Sequence, residues 1–211
     1  MDNITYIKPM DIEKRSMEMI AEGLSGKEIA PENLDVVKRV IHTTADFEFA
    51  DTLCFSDHAV SKGIEAIKNG ICIVTDTNMA LAGINKPALQ KANCEAVCFM
   101  ADPDVAAEAK ERGVTRAVIS VKKAAALHKP VILAVGNAPT ALLEAYDLIQ
   151  AGELTPKLII GVPVGFVNVV ESKELIMRAG IPYIVARGRK GGSTIAASII
   201  NALLYQAFPR E

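Results

Sequence analysis

Five short runs of Val, Ile, Leu and other apolar residues recur along the chain, at 71–75, 96–100, 131–135, 158–161 and 183–186, and most are continuous rather than alternating. A strand with one wet face alternates apolar and polar residues. A strand covered on both faces reads as an unbroken apolar run. Segments of helical character separate the runs, at 103–112, 140–151 and 172–179. Strand, helix, strand in repetition predicts an α/β fold with a mostly parallel, doubly wound sheet and right-handed crossovers. A further strand is expected within 47–55, where Phe47, Glu48 and Phe49 alternate.

Two helices are expected ahead of the sheet. The first spans 11–22, with Asp11 as N-cap and Gly23 as stop. The second starts at Pro31, a favoured first helical position, and runs to about His42. The last helix, 192–206, carries Ile195, Ile199, Ile200, Leu203 and Leu204, which do not fit one stripe. Such a helix is either central in the fold or packed on another subunit, and a homodimer is the expectation. With no repeat, low-complexity tract or linker, residues 1–211 read as one domain.

Composition narrows the function. A formal net charge of -2 argues against nucleic acid or an anionic membrane as partner. The longest apolar stretch, 158–170, is too short to span a bilayer and is broken by Gly and Pro. The start MDNITYIKPM lacks a basic segment followed by an apolar run, so no signal peptide is expected. Cys54, Cys72, Cys94 and Cys98 form no CxxC pair and have no histidine near the last two. Free thiols, mostly buried, are expected rather than a zinc site, and a cytoplasmic location follows.

In an open parallel sheet, ligands bind beyond the carboxyl ends of the strands. The segments there include Thr75-Asp76-Thr77-Asn78, Ala101-Asp102-Pro103, Gly136-Asn137-Ala138-Pro139-Thr140, 161–165 and Arg187-Gly188-Arg189-Lys190-Gly191-Gly192-Ser193. Each alone reads as an ordinary turn; together at one edge they predict a site, with Asp76, Asn137, Arg187, Gly191 and Gly192 as candidate ligand contacts. The last loop is the most informative. Its three cations and three glycines precede a helix, where turned backbone N–H groups and the helix N-terminus favour an anion. GxxxxGK[ST] and GxGxxG are both absent, so a nucleotide is not indicated.

Among three histidines, His128 lies at a strand entrance and His58 in the first turn of a helix, and both read as structural. His42 ends the second helix, beside a buried stripe of Leu34, Val37 and Ile41. A helix C-terminus stabilises imidazolium, and Thr43, Thr44 and Asp46 offer partners to orient the ring. A proton donor and a histidine capping its own helix are equally good readings of that spacing. Ser16 shares an apolar face with Ile12, Met19 and Ile20. It either bonds a carbonyl one turn back or faces a ligand. The chain shows no hydrolase signature and no nicotinamide, flavin or metal fingerprint, so no cofactor is expected. A reaction needing only positioning and a proton suits this inventory.

These segments match a known pattern. Pro9-Met10-Asp11-Ile12-Glu13 with Ser16, Arg39-Val40-Ile41-His42-Thr43-Thr44-Ala45-Asp46, Thr75-Asp76-Thr77-Asn78-Met79, Gly136-Asn137-Ala138-Pro139-Thr140, Gly161-Val162-Pro163-Val164-Gly165-Phe166 and the 187–193 loop occur in order across nearly the whole chain. The chain resembles the precorrin-8X and cobalt-precorrin-8 methylmutases. The resemblance implies a homodimeric α/β isomerase of cobalamin synthesis that moves a methyl group from C-11 to C-12 of the macrocycle. It also implies His42 as the catalytic acid/base and substrate contacts from Ser16, Arg39, Thr43 and Arg116. Met17 stands where the family pattern has Phe. A corrinoid carrier without chemistry of its own is the alternative.

Overall fold

The computed structural model describes residues 6–209. After a 3₁₀ turn at Pro9–Asp11, the chain forms α1 (Ile12–Gly23), a second 3₁₀ turn (Pro31–Asn33) and α2 (Leu34–Thr44). A short helix α3 (Phe49–Thr52) leads into β1 (Leu53–Phe55). Then follow α4 (Ala59–Lys68), β2 (Cys72–Thr75), α5 (Asn78–Gly83), α6 (Lys86–Lys91), β3 (Glu95–Val97), α7 (Pro103–Arg112) and α8 (Arg116–Ala125). The chain continues through β4 (Val131–Val135), α9 (Pro139–Gln150), β5 (Leu158–Gly161), α10 (Val169–Ile176), β6 (Tyr183–Ala186) and α11 (Ser193–Ala207).

The sheet order is β1-β6-β5-β4-β2-β3. All neighbours are parallel except β1, which pairs antiparallel with β6. Every residue of β2, β4 and β5 is buried, because helices cover both faces. One core holds Ile73, Ile132, Leu158 and Ile160 against α2, α4 and α11. The other holds Val74, Leu133, Val135 and Ile159 against α8, α9 and α10. Alternate residues of one strand thus feed opposite cores, as the period of two requires.

The mostly parallel doubly wound sheet and the two leading helices agree with the sequence reading. Several local expectations do not. The strand expected within 47–55 is confined to its last three residues. Phe49 is buried and Phe47 exposed, a separation made by the turn of α3 rather than by a pleat. Asp11 makes no side-chain capping bond, because it lies inside the preceding 3₁₀ turn. Gly23 is the last residue of α1 and not a left-handed stop; Gly26 takes the positive φ, +84°.

The last helix is central. Ten of its fifteen residues are buried, and α2, α4 and α5 pack on it from the same chain. Its apolar circumference is therefore covered internally and supplies no argument for a second subunit. Gly83 lets α5 sit close to α11: a Cβ there would lie 2.8 Å from that of Ala197.

Candidate active site

The order reversal between β2, β4 and β3 places a switch point at the exits of β2 and β4. Ligands often bind at such points. Here the protein fills it with its own anion. Asp76 is 4% exposed. Its Oδ1 accepts the Gly136 N–H at 2.8 Å, and its Oδ2 accepts those of Asn137 at 2.8 Å and Ala138 at 2.7 Å. Burial pushes the carboxyl up, opposed by these three N–H groups. Asp76 is thus committed to shaping the 136–138 turn, which leaves Asn137 exposed at the rim. Gly136 presses on the start of α11, where a Cβ would come within 2.7 Å of the Ser193 Cα. Thr77 caps α5 by accepting the Ala80 N–H and meets Ser193 hydroxyl to hydroxyl at 2.7 Å.

His42 lies beside this edge, in the last turn of α2. It is exposed and opens on a cavity of about 290 Å³. Arg39 and Thr43 from α2, Met79 from α5, and Thr194, Asn201 and Tyr205 from α11 share that cavity. On α11, Thr194, Ser198, Asn201 and Tyr205 recur at spacings of four, three and four, so one helical face carries all of them. The Asn201 amide accepts the Asn85 N–H at 2.8 Å and donates to the Gly83 carbonyl at 2.9 Å, pinning the end of α5. The Arg39 guanidinium stands 5.2 Å from the centre of the Tyr205 ring and donates to Glu13 at 2.6 Å. Beyond that pair, a second cavity of about 250 Å³ runs past Met17, Asp35 and Lys38.

The groups expected to orient the His42 ring do other work. Thr43 and Thr44 donate to the Arg39 and Val40 carbonyls, each at 2.9 Å. Asp46 pairs with Lys190 at 2.6 Å, which holds its carboxyl below the ordinary range. The left-handed Ala45 turns the chain at the helix end, and it directs Asp46 toward the 187–193 loop. Among the described residues, the His42 side chain makes no hydrogen bond, so both nitrogens are available to a ligand. Ser16 is half-buried and donates to the Ile12 carbonyl at 2.9 Å, which leaves its oxygen able to accept.

The other expected contacts spread along the same edge. Gly191 and Gly192 are half-buried beside the start of α11; a Cβ on Gly191 would collide with the Val162 carbonyl. Arg187 is exposed and paired with Glu174 at 3.0 Å. Arg116 is exposed in the first turn of α8, donating to the Met100 carbonyl at 3.2 Å. That helix packs on the opposite sheet face from α2, so Arg116 does not join the His42 cavity.

A larger cleft, about 840 Å³, opens at the strand entrances between Lys62, Glu65, Glu95, Lys129 and Lys157. It lies at the wrong end of the strands for a switch-point ligand and holds no histidine, so the smaller cavity is the better candidate. Cys54, Cys72, Cys94 and Cys98 are free. Burial raises the thiols of Cys54, Cys72 and Cys94, which suits inert packing. Among the described residues, no three His, Cys, Asp or Glu side chains gather as a metal site would require.

The model of the family described as precorrin-8X methylmutase matches residues 11–206. The chain belongs to that family. It is an isomerase, a methylmutase of cobalamin biosynthesis. Cobalt-precorrin-8 methylmutases of Priestia megaterium and Leptospira interrogans are each 44% identical to it. The match covers 93% of this chain and 88% of the first relative, and 95% and 94% for the second. The solved precorrin-8X methylmutase of Thermus thermophilus superposes with a TM-score of 0.87 at 39% identity, over 93% of this chain and 97% of that one. Within the methylmutase, sequence reasoning had missed Tyr205, Asn201 and Thr194. The polar stripe on an otherwise apolar helix was the available signal.

Proposed function

We propose that this methylmutase moves the methyl group at C-11 of cobalt-precorrin-8 or precorrin-8 to C-12, giving the cobyrinate or hydrogenobyrinate product, with His42 as general acid. The observation that carries this reading is an exposed imidazole with two uncommitted nitrogens, in a cavity it shares with Arg39 and the polar face of α11. A 1,5-sigmatropic-type shift breaks one carbon–carbon bond as it forms another and needs no covalent nucleophile. It needs the right tautomer, held in position. A protonated His42 hydrogen-bonded to the macrocycle selects that tautomer and stabilises the charge that develops as the methyl moves. Arg39 and Thr43 line the His42 cavity, and Ser16 and Thr44, outside its lining, are assigned to the substrate beyond it. Arg187, Asn137, Arg116, Gly191 and Gly192 meet the carboxylate arms farther along the edge, and Asp76 contributes by holding the Asn137 turn.

The chain works as one domain and as a homodimer in the cytoplasm. The cavities beside His42 are too small for a whole macrocycle with its arms. Met10, Met79, Phe166 and Val167 stand exposed, ready to be covered by substrate or a second copy. Among the described residues, no helix is long and apolar enough to cross a membrane.

Incubation with cobalt-precorrin-8 and with precorrin-8, followed by absorption, tests the activity. The reading expects progress to the spectrum of the rearranged product. It expects His42→Ala to lower turnover by about 10²–10⁴ with binding kept. Precursor bound by the intact protein and returned unchanged would establish a carrier instead. Binding and turnover lost together in the variant would remove the acid role from His42.

A further inference from the structure

Lys173 is the largest of the fully buried side chains, at 0% exposure, and the site described so far makes no use of it. It projects from α10 beneath the 187–193 loop. Its Nζ donates to the Gly188 carbonyl at 2.8 Å and the Lys190 carbonyl at 2.9 Å. No carboxylate among the described residues pairs with it. The charges nearby are engaged elsewhere: Glu174 with Arg187, and Asp46 and Glu48 with Lys190. On α9, which packs against α10, Glu144 pairs with Lys122. A cation in this position, satisfied only by backbone oxygens, costs stability. Nothing in the core packing requires it.

The direction of those carbonyls has a consequence. Across a planar trans peptide, the C=O and the N–H that follows point in opposite directions, and there are no cis peptide bonds among the described residues. With the Gly188 and Lys190 carbonyls drawn toward Lys173, the N–H groups of Arg189 and Gly191 face away from it. The Arg189 carbonyl points the other way and accepts the Gly165 N–H at 3.2 Å, so the peptides alternate. Gly188, at φ +77°, makes a left-handed turn at the entry to this segment. Among the described residues, the Arg189 and Gly191 N–H groups have no acceptor. The first N–H groups of α11, at Ser193 and Thr194, follow immediately, and Thr194 lines the His42 cavity. The Arg189 carbonyl between them is taken up by the Gly165 N–H, so the Arg189 and Gly191 N–H groups, with those at the start of α11, are the donors left on that side for an anion.

We propose that Lys173 is a positioning residue that aims the Arg189 and Gly191 N–H groups at a carboxylate arm of the macrocycle. Lys173 never touches the ligand. It fixes which way two peptides face, and this sets affinity for the acidic arms without taking part in the methyl shift. The proposal rests on the corrinoid reading above.

Cobyrinic acid and its fully esterified derivative, at neutral pH, separate this role from a structural one. The intact enzyme is expected to bind the acid more tightly than the ester. Lys173→Met keeps the volume and removes the donor. It should weaken the acid roughly tenfold, the worth of one or two backbone hydrogen bonds, and leave the ester unchanged. With cobalt-precorrin-8, KM should rise by a similar factor while kcat holds. A variant that weakens acid and ester equally, or keeps the acid preference, overturns the proposal. If Lys173→Met does not fold, hydrogen exchange on the intact enzyme decides. Bound cobyrinic acid should protect the Arg189 and Gly191 amides, and amides left unprotected in the saturated complex overturn the proposal. An intact enzyme that binds neither compound and leaves cobalt-precorrin-8 unchanged would overturn the corrinoid reading itself, a different failure.

Discussion

Replacing Asp76 with asparagine changes one atom and tests whether the switch point is held by an internal carboxylate. Asp76 accepts three backbone N–H groups through two oxygens. An amide has one oxygen. Placed to keep Asn137 and Ala138, it turns its own NH₂ toward the Gly136 N–H, and a buried donor then faces a donor. One unsatisfied buried donor costs about 1–3 kcal/mol, and the two remaining bonds drop from charge-assisted to neutral strength, roughly 1 kcal/mol each. The desolvation that pushes the Asp76 carboxyl up is relieved in the amide, which offsets part of the loss. The net expectation is a destabilisation of about 2–3 kcal/mol. For a chain of this size that lowers Tm by roughly 5–10 °C, measured by circular dichroism on heating and confirmed by the urea midpoint at unchanged slope. Gly136 leans on Gly192 and Ser193, so turnover should also fall although His42 is untouched. A Tm within about 1 °C of the parent would refute the reasoning, because the three N–H groups would then have another acceptor.

Other outcomes follow from single contacts. Gly83→Ala places a methyl where 2.8 Å separates it from Ala197; overpacking of that kind costs about 1–3 kcal/mol, read as a lower urea midpoint, and an unchanged midpoint would mean α5 shifts freely. Tyr205→Leu removes the ring beside Arg39 and should raise KM about threefold, the worth of one weak cation–π contact, with kcat unchanged; a loss confined to kcat would contradict it. Burial holds Lys173 down to about 8, against 10.5 for the ordinary side chain. Between those values the unfolded chain carries the extra proton, so this group makes stability rise with pH. The stability difference between the parent and Lys173→Met should therefore grow in the parent's favour from pH 8 toward 10, by at most about 1.4 kcal/mol per unit. A flat difference over that window would show that Lys173 is not desolvated.

The four central strands, β2, β4, β5 and β6, were legible because a strand covered on both faces is apolar at nearly every position. β3 came out shorter than its apolar run, ending at Val97. It lies at the sheet edge with one partner, and residues 98–100 are only half-buried. The short α5 and α6 were missed, although Thr77 and Asn85 cap them through side-chain oxygens, because six residues carry too little periodicity to register. His42 and the 187–193 loop stood out in the sequence, since helix ends and glycine-rich turns announce their chemistry locally, whereas Arg39 came only with the family resemblance. The meeting of His42 and Arg39 with Tyr205 and Thr194 in one cavity was not legible.

From residue order alone came the parallel sheet, the edge where a ligand would sit and the imidazole at the end of α2, each a consequence of periodicity or of backbone groups a few positions apart. Only the folded chain decided that Asp76 points inward at three N–H groups, that Asp46 answers Lys190 instead of His42, that α11 is wrapped by its own chain, and that Lys173 is fully buried. Those outcomes depend on partners tens of residues away. A side chain's burial and hydrogen-bond partners are set by what packs against it, which local sequence does not encode.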